Sequence, residues 1–234
     1  MSEQAIATPA KETAVSLVST KVPAHVSKAA GLGNENVTTD HIQVPRIKLL
    51  QQMNNEVDES HDAYVKGAKP GALLNTVTNE LFKEIYVINV HFTEDFVIWR
   101  KREKGGGLVG TVGTAQEATE KIATLDGSPE DYEVIQTQSH LLLRKNEKTG
   151  ALDVSPFLMD FASSKLRVSR EWNTQIQQLG GDRFSSMWKI TSVSTQNRAA
   201  QKFHNLSVEN QGWVHDEDYE KAKAIYEGVT NSSK

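Results

Sequence analysis

The chain has 234 residues, no cysteine, 38% apolar residues, and 26 basic against 30 acidic side chains for a net charge of −4. That length suits one domain with a tail, since a domain takes roughly 100–200 residues, and the missing cysteine excludes disulfides, thiolate nucleophiles and Cys-ligated zinc or iron–sulfur sites. The acidic balance weighs against a protein that coats nucleic acid indiscriminately, because phosphate neutralisation supplies most non-specific affinity.

Residues 1–40 read as a disordered arm, rich in Ala, Ser, Thr, Val, Glu and Lys, interrupted by Pro9 and Pro23, and without an aromatic residue. Such a stretch buries too little apolar area to offset its ordering entropy. Met1–Pro9 lacks the basic start and apolar core of a signal peptide, and no apolar run approaches the ~20 residues that span a bilayer. A cytoplasmic protein with no membrane partner is expected.

A single domain is expected over residues 41–234. The apolar run Ile42–Leu50, broken by Pro45, suits an edge strand or extended lead-in. Lys66–Gly71 is a turn by its Gly and Pro content. Glu84–Phe92 (EIYVINVHF) is the clearest strand, and Phe96–Trp99 is expected as its hairpin partner. After the glycines between Gly105 and Gly113, Ala115–Leu125 has helical composition and is closed by Asp126–Pro129. Tyr132–Gln138 and His140–Arg144 read as two strands, Asn146–Gly150 as a turn, and Val154–Phe161 as a further strand. A helix capped by Ser163 or Ser164 runs to Leu179 and ends at Gly180-Gly181. Its Leu166, Trp172, Ile176 and Leu179 share one face at helical spacing. Strands follow over 185–195 and 201–208, then a helix over Asp216–Glu227 with acids at its start, as the macrodipole prefers. This order predicts an α+β fold with a β-rich core. It permits an OB-fold-like barrel with a helix inserted between its third and fourth strands, plus a C-terminal helix. Pattern alone does not separate that from an open α+β sheet.

Two literal motifs carry little. Gly105-x-Gly107-x-x-Gly110 matches the dinucleotide fingerprint, but that fingerprint needs its last glycine in the first turn of a helix. Here four residues intervene before Ala115, so a Gly-rich hairpin loop is expected. The acids of His215-Asp216-Glu217-Asp218 read as a helix start, because consecutive side chains there diverge and a metal needs convergent ligands. No motif joins His140, His204 and Ser185 into a triad. A non-catalytic protein with no metal and no cofactor is expected.

The informative region is 163–204. It holds seven basic residues, Lys165, Arg167, Arg170, Arg183, Lys189, Arg198 and Lys202, against Glu171 and Asp182 alone. Trp172, Phe184, Trp188 and Phe203 interleave with them. Trp99, Arg100, Lys101, Arg102 and Lys104 form a second basic and aromatic cluster beside mobile glycines. Cations that track a backbone and flat rings on which bases stack are what single-stranded nucleic-acid binding requires. Trp172 is assigned to the core, on the apolar face of its helix. Trp99, Trp188 and Phe203 join the basic residues, Phe184 and Trp172 excepted, as the candidate DNA-binding set.

The segments Ser164–Ile176 (SKLRVSREWNTQI), Gly180–Phe184 (GGDRF), Trp188–Ile190, Asn197-Arg198 and Phe203–Leu206 resemble small proteins of tailed-phage genomes. So do Val44–Gln51 (VPRIKLLQ) and Gly67–Gly71 (GAKPG). The resemblance is to single-stranded DNA-binding proteins of phage replication modules and covers most of residues 42–226. It implies action on single-stranded DNA in replication or recombination in the host cytoplasm, with replication or recombination proteins and further copies of the chain as partners. The sequence departs from that pattern at Gly228–Lys234, where an acidic, aromatic-tipped recruiting tail would stand. A phage virion or assembly protein is the alternative expectation.

Overall fold

A computed structural model describes residues 32–38, 41–153 and 155–232 of the chain, which divides into two units, 1–43 and 44–234. The expected arm over 1–40 lies for the most part outside the described residues. Within the first unit, Val37 N–H donates to the Asn34 carbonyl and His41 N–H to the Thr38 carbonyl, closing two turns.

In the second unit, β1 (Ile47–Leu49), β2 (Leu73–Asn75) and β3 (Leu81–Phe82) form a small antiparallel sheet. A six-stranded antiparallel sheet is built from β4 (Glu84–Arg100), β5 (Leu108–Val112), β6 (Tyr132–Lys145), β7 (Phe157–Ala162), β8 (Ser186–Gln196) and β9 (Lys202–Trp213). Its order is β7-β6-β4-β8-β9, with β5 also on β4. The helices are α1 (Ala115–Ala123), α2 (Leu166–Leu179) and α3 (Asp216–Ser232). This is a mixed α+β architecture with a β-rich core.

β4 organises the sheet. It contains no glycine or proline, so nothing in it forces a turn. One edge pairs with β6 from Tyr86 to Arg100; the other pairs with β8 over Glu84–Ile88 and with β5 over Phe96–Trp99. A bulge between Asn89 and His91 inserts one residue, which bends the strand and raises its twist. Phe96–Trp99 therefore continues the strand at 84–92 and is not its hairpin partner; that partner is β5, inside the stretch read as a glycine loop. Likewise β6 is one strand where two were expected; Gln138-Ser139 carries neither Gly nor Pro, and both residues pair with β4 and β7.

Period-2 alternation gives the sheet two apolar faces. Ile85, Val87, Leu142, Phe157, Met159, Phe161, Trp188 and Ile190 form one core with Trp172 of α2 and Ile47, Leu49 and Leu73 of the small sheet. Ile88, Val90, Leu141 and Leu143 form the other with Phe184 and Ala222 of α3. Ile98 and Tyr132 pack with Ala118 of α1 at the far end of β4.

β7 and β9 share no ladder, so among the described residues the sheet does not close into a barrel. Residues 45–51 occupy that gap. Leu158 N–H donates to the Pro45 carbonyl at 2.9 Å, and Arg46 bridges Leu158 in parallel. At the other side, Gln51 Nε2 donates to the His204 carbonyl at 2.8 Å and Gln51 Oε1 accepts from His204 N–H at 2.9 Å. A side-chain amide carries the same donor and acceptor as a peptide group, so Gln51 pairs with β9 as a single residue of strand would.

Every core side chain among the described residues comes from Ile47 onward. A chain starting at Val44 is expected to melt cooperatively, within a few degrees of the full chain, in a thermal circular-dichroism scan. A lost transition would show that residues before Val44 belong to the core.

Candidate functional site

The basic and aromatic residues sort into four environments. The first is the connection from β4 to β6. Trp99 is 40% exposed, with Leu108 and Glu133 as cross-strand neighbours. Arg100 ends β4, and the chain then turns through Lys101 and the short 3-10 segment Arg102–Lys104. Gly105, Gly106 and Gly107 follow with φ of 102°, 65° and 110°, a run of left-handed conformations that only glycine adopts at little cost. The turn is tied at Arg100 N–H to the Gly107 carbonyl and at Lys101 N–H to the Asp131 carbonyl. Lys104 Nζ lies 3.0 Å from Asp131, and that hydrogen bond, with one from Ser128 N–H, holds the Asp131 carboxyl below its usual range. Among the described residues Arg100, Lys101 and Arg102 form no ion pair, so their charge is directed outward. Gly110 lies within β5 opposite Ile98, away from any helix start, which is why the glycine spacing makes no dinucleotide fold.

The second environment is the β8–β9 turn. Asn197 Oδ1 accepts from Ala199 N–H at 2.9 Å and from Gln201 N–H at 3.0 Å, fixing a tight loop that exposes Arg198. Because β8 runs antiparallel to β4 and pairs Thr191 with Glu84, this turn projects past the start of β4. The Arg100–Lys104 turn leaves the other end of the same strand.

The third is a cleft of about 560 Å³ that brings Lys165, Lys202 and Phe203 together with Lys48. Lys48 escaped the sequence reading because it sits in an apolar run. Its alternation with the buried Ile47 and Leu49 is the signal that would have turned it outward.

The fourth is the outer surface of α2. Arg167 is exposed and holds Glu171 at 2.7 Å, and Arg170 Nη2 donates to Gln136 Oε1 at 3.3 Å.

Three candidates are otherwise engaged. Trp188 is fully buried, edge-on to Trp172 with ring centroids 5.8 Å apart, so it belongs to the core and offers no surface to a base. Lys189 is neutralised by Glu84 at 2.8 Å. Arg183 lies over the Phe92 ring, 5.3 Å from its centroid, and donates to Asn173 Oδ1 at 2.9 Å; burial lowers its pKa. Asp216–Asp218 does open α3, with Asp218 ion-paired to Lys145. Among the described residues no helix is long and apolar enough to cross a membrane.

No curated protein and no solved structure matches the chain. The family described as Pam3 phage gp34-like protein matches residues 10–234, nearly the whole sequence. A match of that extent covers both units, every strand and helix above and both basic loops, and so the chain belongs to the Pam3 phage gp34-like protein family and is a phage protein.

Proposed function

We propose that the protein is a non-catalytic single-stranded DNA-binding protein acting in phage DNA replication or recombination, built on an OB-fold-like barrel. One observation carries the reading: the order β7-β6-β4-β8-β9 with α2 between β7 and β8. Counting β4, β6, β7, β8 and β9 as barrel strands one to five, this order is the one expected of an OB-fold, with its helix between strands three and four, and β5 is an addition to it. OB-folds bind oligonucleotides on the face of strands two and three and through the loops joining strands one to two and four to five. The corresponding connections in this chain are residues 101–131, which open with the Arg102–Lys104 turn and also carry β5 and α1, and the Arg198 turn. Segment 45–51 stands where strands three and five would meet, leaving the barrel partly open.

The role of the cations follows from counterion release. Replacing Arg100, Lys101 and Arg102 with Ala is expected to weaken single-stranded DNA binding in fluorescence anisotropy. It is also expected to flatten the dependence of log K on log salt by about 2, since each contacted phosphate of a single strand contributes ~0.7. Unchanged affinity and slope would remove this turn from the site; no binding by the parent protein at low salt would defeat the reading itself. A virion or assembly role is the second reading. Trp213, 63% exposed beside a groove lined by Met187 and Val214, favours it as a protein contact.

A further inference from the structure

The cleft between the end of β7 and the start of β9 differs from the two loops in drawing its lining from three separate segments. Its walls are the Ser163–Lys165 turn, residues 48–54 and Lys202–His204. Three lysines face it, and among the described residues no Asp or Glu lines it. Lys48 is balanced by Glu56 at 2.7 Å, but among the described residues Lys165 and Lys202 have no ion-pair partner. The nearby Asp160 is already taken by Arg46 and by Ser139 Oγ. A second source of positive potential points the same way. α2 begins at this wall with neither a capping side chain nor an acid in its first turn, so its N-terminal dipole is unopposed. Ser163 holds φ at 52°, a left-handed conformation uncommon for serine that surrounding structure must impose. Half-buried Phe203 supplies a phenyl face to the cleft, next to His204.

We propose that this cleft binds an organic phosphate, a nucleotide whose phosphate rests between Lys165 and Lys202 and whose base lies against Phe203. Burial holds the Lys165 ammonium below the ordinary lysine range; Asp160 opposes this and Lys48 reinforces it. An incoming phosphate supplies the counter-charge that the protein leaves out. Flat stacking on one ring tolerates any base, so phosphate recognition dominates and base identity matters little. Lys165, Lys202 and Phe203 also belong to the candidate DNA-binding set, but the proposal needs neither basic loop, and the DNA reading rests on those loops.

The test is calorimetric titration of the full chain at low salt with inorganic phosphate and with thymidine 5′-monophosphate. Both are expected to bind, the nucleotide more tightly. Lys165→Met and Lys202→Met should each weaken binding about tenfold, the size of one charge-assisted hydrogen bond, while Phe203→Leu should weaken the nucleotide alone. Lys202 is exposed, so its variant stays informative if Lys165→Met fails to fold. Preference for a 5′-phosphorylated oligonucleotide over its 5′-hydroxyl twin would identify a strand end as the source of the phosphate; equal binding of the two, with the mononucleotide bound, would identify a free nucleotide. No binding by the parent, or binding unchanged in both lysine variants, overturns the proposal. Circular single-stranded DNA, which has no terminal phosphate, measured alongside, reports on the DNA reading separately.

Discussion

Replacing Trp172 with Ala is expected to cost about 3–5 kcal/mol of folding stability, the range for truncating a large buried aromatic. Trp172 is fully buried where α2 meets the main sheet. Its ring stacks on His140 with centroids 4.6 Å apart and meets Trp188 edge-on at 5.8 Å. Alanine leaves a void between these rings that the strands, held by their ladders, cannot close. The neighbouring α2 substitutions Arg167→Ala and Arg170→Ala should barely move the midpoint, because exposed charges contribute little to folding. Urea denaturation of the three variants reads the contrast. A loss under about 1 kcal/mol for Trp172→Ala would mean that α2 is not docked through this residue.

Acid is expected to destabilise the protein well above the pH at which carboxylates protonate. His140 is fully buried, with Nδ1 2.8 Å from Asn89 Nδ2 and Nε2 2.7 Å from Ser169 Oγ. As the amide is placed, Nδ1 accepts from Asn89, so the ring's one proton sits on Nε2 and is donated to Ser169. A second proton would set N–H against N–H in an apolar enclosure. Burial first, and the Arg183 charge second, push the His140 pKa down to about 3 from an ordinary 6.5. The unfolded chain therefore binds a proton that the folded one refuses between those values. Stability is full above pH 6.5 and falls as pH drops below it, by about 1.4 kcal/mol per pH unit. Roughly 3 kcal/mol should be gone by pH 4. His91, lowered by burial and then by Arg183, adds in the same direction. Glu56 and Asp131, whose pKa values are lowered, act only as pH falls through the carboxylate range, so the window from 6.5 to 5 isolates the histidines. Denaturant midpoints across that window for the parent and for His140→Gln should diverge. Parallel curves would show that His140 titrates freely.

Residue pattern made the helices and most strands legible. α1, α2 and α3 fall within a few residues of their apolar spacing, although neither Ser163 nor Ser164 caps α2, whose N-cap position is Lys165 without a side-chain bond, and the alternation of Glu84–Phe92 marks the central strand. What pattern missed has local causes. The β2–β3 hairpin is too short to show a period, and the bulge at Asn89–His91 breaks the alternation by which β4 would have read as one strand. The candidate site was only half legible. Arg100–Lys104 sits on a glycine turn, where charge and exposure coincide. Trp188 stands in the candidate set with its facing open between core and surface, and it falls to the core because Ser186, Trp188 and Ile190 alternate as one buried set. Arg183 and Lys189 look free in sequence, yet Asn173, Phe92 and Glu84 engage them from distant segments. The cleft joins residues near 48, 165 and 203, and no local signal connects those.

The two-sided pairing of β4 also sets a schedule for synthesis. β6 leaves the ribosome soon after β4 and can take one edge at once, but the partner of Ile88 on the other edge is Met187. At translation rates of ~5–20 residues per second, that edge waits on the order of ten seconds for β8. Through that interval Glu84–Ile88 presents unpaired backbone beside apolar side chains, the form of strand most open to pairing with the wrong chain. Fast translation, or a holding chaperone, should therefore raise the soluble yield of this protein more than any change to its finished structure.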